Sequence, residues 1–278
     1  MIELSPAAAL SVALGAADEA AKSLLAAFER HRQASGPPLK AWHKAPGALV
    51  TEADIAADRV IAESIARSGV NIAVISEESV SGAQSGGDSW LVDPLCGTVP
   101  FRSGMPHWGV SIALRRGNEL AAGVIAVPAA GQVLAATSGG GAELNGKCFS
   151  RSDPGLPIDE AIVGLEIDGR EEWRRLLSLD TGGQPRIGWA GAVGHTNTFC
   201  SAAYPLYLVC TGGMSGVVFY RIDTVHLAAG ALIAQELGAV VSDGRGRPLD
   251  WASEQMYPVV VVAWPSIHAE LIGAMVGE

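Results

Sequence analysis

The stretch SWLVDPLCGT, Ser89 to Thr98, decides the reading of this chain. An apolar run fit for a buried strand ends at Asp93-Pro94, where the proline ring stiffens the turn. Gly97 and Thr98 follow with backbone N–H groups and a hydroxyl, a cradle suited to an anion. A carboxylate beside such a cradle makes chemical sense if a hard cation bridges it to a phosphate, because Mg²⁺ takes oxygen ligands and substrate phosphate together.

The same pattern extends outward. NIAVIS (71–76) is a second apolar strand, and it runs into Glu77 and Glu78. Upstream, Thr51 with Asp54 three residues on predicts a capped helix start, and Ile55, Val60, Ile61 and Ile65 recur at roughly helical spacing. Acids thus gather at Asp54, Glu77, Glu78 and Asp93, two of these places being strand ends where sheet proteins put their sites. Taken singly, each acid could equally serve as a cap for a helix or turn.

The rest reads as layered α and β structure. An Ala-rich helix is expected over 6–33, closed by Gly36, Pro37 and Pro38. Strands are expected at 107–114 and 119–128, with a hairpin at Asn145-Gly146. Beyond Lys147 come a strand in AIVGLEI, helices in REEWRRLL and FCSAAYPLYLVCTGG, a strand in GVVFY, a helix in HLAAGALIAQELGA, a strand in YPVVVVAW and a closing helix near Ser266. A weak boundary at SRSDPGLP (150–157) divides an N-terminal α+β half, 1–150, from a C-terminal α/β half, 151–278.

Composition narrows the function. The 278 residues are 49% apolar and only 17% charged, which rules out a disordered chain and implies two-sided burial. Mean hydropathy is +0.26. With 29 acidic against 19 basic side chains the formal charge is −10, so nucleic acid and anionic membrane are not expected partners. Cys96, Cys148, Cys200 and Cys210 are too irregularly spaced for a disulfide framework and read as free thiols. The acidic start, with Glu3, Asp18 and Glu19, lacks a leader's basic segment, and the cytoplasm is the expected compartment.

VTEAD (50–54), SEES (76–79), WLVDPLCGT-x-x-F (90–101) and HLAAGALIAQELGA (226–239) resemble, in order, the motifs of the inositol monophosphatase family, with NGK and LYLVCTGG also in place. These are metal-dependent, lithium-sensitive phosphatases, and the resemblance runs from about residue 45 to 265. It implies an α/β/α/β/α sandwich and a small phosphomonoester as partner, with a homodimer as one possible assembly. By resemblance Glu77, Asp93 and the Leu95 carbonyl hold a Mg²⁺ ion. Thr98 and Asp54, with Glu77, activate the attacking water, and Gly97 and Thr98 donate backbone hydrogen bonds to phosphate. Ser201 lies where relatives offer a backbone contact to substrate, and Lys40 and Lys44 lie where a loop in relatives helps close the site.

Two departures stand out. The motif D-P-x-D-G-T here carries Cys96 for its second acid, and W-D-x-A-A/G here carries Val225 and His226 for Trp and Asp. Both lost acids serve the family's second metal. Either that site is gone, where losing ~4 kcal/mol would cost about a thousandfold in rate, or Asp93, Cys96 and His226 form a softer site for Zn²⁺ or Mn²⁺. Phe219 stands where the family's inositol-binding acid belongs, so inositol monophosphate is not the expected substrate. Arg221 could grip a second phosphate or carboxylate, or serve an ordinary salt bridge. The expected activity is phosphomonoester hydrolysis with an atypical metal centre. The rival readings are a ligand-binding or regulatory pseudoenzyme and a biosynthetic enzyme of changed chemistry on the same scaffold.

Overall fold

The structure is a computed structural model that describes residues 4–33, 39–45, 48–81, 87–178, 187–252 and 254–276. Helix α1 (Pro6–Arg32) opens it, with Pro6 in its first turn and the Ser5 hydroxyl accepting the Ala8 N–H at 3.2 Å. The expected stop at Gly36 to Pro38 lies outside the described residues. A short antiparallel pair, β1 (Ala41–Ala45) and β2 (Ala48–Thr51), leads into α2 (Glu52–Arg67).

An eight-stranded sheet follows: β3 (Ala73–Ser76), β4 (Val80–Ser81), β5 (Ser89–Cys96), β6 (Gly109–Arg116), β7 (Glu119–Val127), β8 (Gln132–Thr137), β9 (Gly141–Leu144) and β10 (Lys147–Phe149). Its order is β10-β9-β8-β7-β6-β5-β3-β4, and Asn145-Gly146 turns β9 into β10 with positive φ at both residues. The pairing that matters for the site is parallel: β3 lies beside β5 with Ser76 opposite Val92, so both strands deliver their C-terminal ends to one place. The short helix α3 (Thr98–Arg102) leaves β5 there.

The second sheet has five strands: β11 (Ile162–Ile167), β12 (His195–Asn197), β13 (Gly216–Asp223), β14 (Val240–Asp243) and β15 (Met256–Ala263), in the order β12-β11-β13-β15-β14. Helices α4 (Arg170–Leu177), α5 (Ala203–Thr211), α6 (Thr224–Glu236) and α7 (Pro265–Val276) complete the chain. Helix α5 is shorter than its apolar run predicts. Cys200, at φ 54°, keeps the preceding residues out of the helix, and Gly212 ends it in the left-handed region.

Three apolar clusters make the layers. Helices α1 and α2 cover one face of the large sheet through Leu24, Phe28, Ile61 and Ile65 against Trp90, Trp108 and Val124. Helices α5 and α6 fill the space between the sheets, Leu206, Leu227 and Ile233 meeting Leu91, Ile125, Val217 and Val262. Helix α7 closes the outer face of the small sheet through Ile267 and Leu271. This is the expected α/β/α/β/α order. Because α6 is pressed from both sides it is apolar all round from Leu227 to Ala234. Its Gly230 is forced: a Cβ there would stand 2.5 Å from Leu206 Cδ1 of α5. No helix among the described residues is long and apolar enough to cross a membrane.

Candidate active site

Three helix starts and two strand ends converge at one mouth of the sandwich. The start of α2 supplies Asp54 through a capping box. Thr51 accepts the Ala53 N–H at 3.2 Å, while Asp54 Oδ2 takes the Thr51 N–H at 2.8 Å and its hydroxyl as well. The same carboxylate therefore caps a helix and faces the site. Its other oxygen, Oδ1, accepts the Thr98 hydroxyl at 2.7 Å across 44 residues of chain. Asp54 is fully buried, and burial pushes its pKa up against the pull of these hydrogen bonds.

Glu77 and Asp93 come from the parallel pair. The Glu77 N–H bonds to the Val92 carbonyl at 3.0 Å, which ties the end of β3 to β5 one residue before Asp93. Asp93 is fully buried. Its Oδ1 accepts the Leu95 N–H at 3.2 Å, but no donor among the described residues satisfies Oδ2. Burial, opposed by the charge of His226, pushes Asp93 up to about 8.

His226, in the first turn of α6, faces both acids. Its Nε2 lies 3.5 Å from Glu77 Oε2 and 3.6 Å from Asp93 Oδ2. Asp223, the N-cap of α6, accepts the His226 N–H at 3.0 Å and the ring Nδ1–H at 2.6 Å. Burial works against an imidazolium here, yet Asp93, Asp223 and Glu77 together raise the His226 pKa well above the ordinary range. Burial likewise disfavours the Glu77 carboxylate, but His226 and Lys44 hold its pKa below the usual value. Lys44 Nζ sits 3.3 Å from Glu77 Oε1 and 2.6 Å from Glu78 Oε1.

Glu77, Asp93 and His226 each present one ligand atom, all within 4.8 Å of one another. Asp93 Oδ2, which makes no hydrogen bond among the described residues and has only the His226 ring at 3.6 Å, is what a cation would satisfy, so the donor set fits a divalent ion. The imidazole among these carboxylates departs from the all-oxygen surroundings Mg²⁺ prefers.

Cys96 is not among the three converging ligand residues, although its side chain hydrogen-bonds Asp93. Its sulfur accepts the Ala202 and Ala203 N–H groups, each at 3.1 Å, at the start of α5. Burial, and next to it the charge of Asp93, drives the thiol pKa up, and the sulfur serves as an internal cap. The Leu95 carbonyl lines the pocket within 3.4 Å of the Thr98 hydroxyl. Gly97 is at φ 104°, and a Cβ there would meet the His107 carbonyl at 2.7 Å, so the cradle needs glycine both for its conformation and for space.

Around this centre opens a cavity of about 400 Å³, lined by Glu77, Asp93, Thr98, Ser201, Phe219, Arg221 and His226 among others. Ser201 lines the cavity, and its hydroxyl is engaged within the fold, donating to the Cys96 carbonyl at 3.1 Å and accepting the Tyr204 N–H at 3.3 Å. Phe219 is buried in the floor, and Arg221 is exposed at the rim. His195 is exposed on β12 and does not line the cavity, while His107 stacks against Phe199 and Tyr204. Lys40 uses its backbone N–H to hold Glu52 at 3.3 Å.

Sequence reasoning missed Asp223 and Glu166. Asp223 had a usable signal, since D-x-x-H at a helix start places both side chains on one turn. Glu166, 7% exposed at the end of β11, accepts the N–H groups of Phe199 at 2.6 Å and Cys200 at 2.9 Å. Burial pushes its pKa up to about 7 despite those donors. Nothing local in the sequence marks that long-range contact.

The family model described as "Inositol monophosphatase family" matches residues 6–277. An inositol-1-monophosphatase of Mesorhizobium japonicum is 32% identical over 250 residues, 86% of either chain. The Nus factor SuhB of Pseudomonas aeruginosa is 30% identical over 247 residues, 85% of this chain and 86% of that one. The crystal structure of the extragenic suppressor protein SuhB from Bartonella henselae superposes with a TM-score of 0.82 at 24% identity, covering 96% of this chain and 98% of the other, which speaks for the fold.

Proposed function

Because this chain belongs to the inositol monophosphatase family, we propose that it hydrolyses a small phosphomonoester at a divalent ion held by Glu77, Asp93 and His226. The observation that carries the reading is the convergence of those three ligand atoms within 4.8 Å, beside the Asp54–Thr98 hydrogen bond of 2.7 Å. The ion, when bound, supplies Lewis-acid charge to the phosphoryl oxygens.

The chain's own groups do the rest. Asp54 accepts a hydrogen bond from the Thr98 hydroxyl, which leaves a lone pair on the Thr98 oxygen to accept from and orient an attacking water. As the water attacks, its proton passes to the Thr98 oxygen while Thr98 hands its own to Asp54, whose pKa burial has raised. Gly97 and Thr98 turn backbone N–H groups toward the phosphate, and glycine's conformation permits the approach. Mg²⁺ is the family's metal. The imidazole makes Mn²⁺ or Zn²⁺ the better match here, and Cys96 supports α5 rather than the ion. Phe219 offers a substrate hydroxyl no acceptor, so inositol monophosphate is not the substrate.

Purified protein given Mg²⁺, Mn²⁺ or Zn²⁺ in turn should release phosphate from a panel of sugar, nucleotide and inositol phosphates, with Mn²⁺ or Zn²⁺ most effective. Absence of release with every metal overturns the reading.

One observation favours a second reading. His226 and Lys44 already pair with Glu77, so the acidic cluster carries internal counter-charges. In that case the protein is a ligand-binding or regulatory pseudoenzyme, and it shares a family with relatives named Nus factors. Cys96→Asp with His226→Asp separates the two. Gain of Mg²⁺-dependent phosphatase activity in an inert parent favours the pseudoenzyme, and loss of an existing activity favours the enzyme.

A further inference from the structure

We infer that the molecule taken by this cavity carries a second anionic group besides its phosphate, and that Arg221 grips it; the inference rests on the phosphate-ester reading and names the substrate class of that site. Arg221 lies on β13 between Tyr220 and Ile222, which pair with Val259 and Tyr257 of β15. Its own backbone is turned to φ 63°. A non-glycine residue rarely adopts that conformation, and such outliers concentrate where the structure puts a side chain to use.

The surroundings say what that use is. Arg221 is exposed at the cavity rim, and no hydrogen bond or ion pair among the described residues engages its guanidinium. Two groups beside it that could read a neutral polyol are absent or occupied, and Asp168 stays exposed as an acceptor at the rim. Phe219, two residues earlier on the same strand, is buried and apolar. Glu166, opposite Phe219 in the β11–β13 register, has one oxygen on the Phe199 N–H and the other on the Cys200 N–H. A planar guanidinium binds a carboxylate or phosphate through paired hydrogen bonds, and a lone hydroxyl cannot use that geometry.

Asp168, also exposed and lining the rim, is the opposing charge. It repels a second anion that Arg221 does not hold, so the rim selects for anions only while Arg221 is present. With Arg221 removed the rim becomes acidic and the selection reverses.

The test uses three butylphosphonates that cannot be hydrolysed and that end in a hydroxyl, a carboxylate or a second phosphonate. Their binding to the full chain with Mn²⁺ is measured by calorimetry. The wild type should prefer a ligand with a second anion by about tenfold, equivalent to about 1.4 kcal/mol. The carboxylate and phosphonate arms identify which anion is matched. In Arg221→Gln the ratio should fall to one or below, and in Asp168→Asn it should rise. Arg221→Gly, which suits φ 63°, should reproduce the Arg221→Gln result and thereby exclude misfolding as its cause. Equal affinity for all three ligands in the wild type, no binding of any, or a preference that survives Arg221→Gly overturns the inference. Phosphate release, assayed separately, keeps the two readings apart. Selective binding without hydrolysis leaves Arg221's role standing alone, and hydrolysis without selectivity leaves only the phosphatase reading.

Discussion

Asp223 Oδ1 lies 2.6 Å from His226 Nδ1 and also caps the helix that carries the histidine. One carboxylate thus fixes the ring's orientation and turns Nε2 toward Glu77 and Asp93, where a bound metal ion would displace the Nε2 proton. Partners of this kind matter to metal affinity nearly as much as the ligands themselves.

Replacing Asp223 by Asn keeps a good helix cap but weakens the hold on the ring. Affinity for Mn²⁺ or Zn²⁺ should drop about ten- to a hundredfold with little loss of melting temperature, as read by calorimetric titration and thermal unfolding. Unchanged affinity contradicts the role given to Asp223.

Cys96 is assigned to packing and capping, and that assignment separates stability from metal binding. Cys96→Ala leaves the Ala202 and Ala203 N–H groups without their acceptor. The expected cost is about 1–3 kcal/mol, partly restored in Cys96→Ser, while the protein still takes up its metal ion. Loss of metal uptake at unchanged stability would instead make the thiol a ligand.

Glu166 gives a pH signature. Its ordinary value is 4.5 and its folded value about 7, so between those limits the folded chain holds more protons than the unfolded one. Its contribution to stability is therefore full below pH 4.5 and is lost as pH rises through 7, by at most about 3 kcal/mol. Glu166→Gln removes this component, so the variant's melting temperature should fall less across that window than the wild type's. Parallel curves contradict the account.

How much was legible in the sequence follows from how far each interaction reaches. Asp54 and Thr51 are three residues apart, and their spacing alone revealed the capping box. Glu77 and Asp93 end apolar runs, and strand periodicity exposes such positions. The capping role of Cys96 is not legible, because its sulfur answers donors about a hundred residues away, at the start of a helix whose beginning the apolar pattern blurs. The link from Glu166 to Cys200 spans 34 residues and joins a strand end to a loop, so no period announces it. Lys44 was seen only as a loop cation, since its pairing with Glu77 and Glu78 depends on β1 folding over the strand ends.

The central claim is that Glu77, Asp93 and His226 converge on one divalent ion. Anomalous diffraction from crystals soaked in Mn²⁺ tests it most directly. The account predicts a single strong peak bonded by those three side chains. Crystals with no peak there, and with His226 still bridging the two carboxylates, would contradict it.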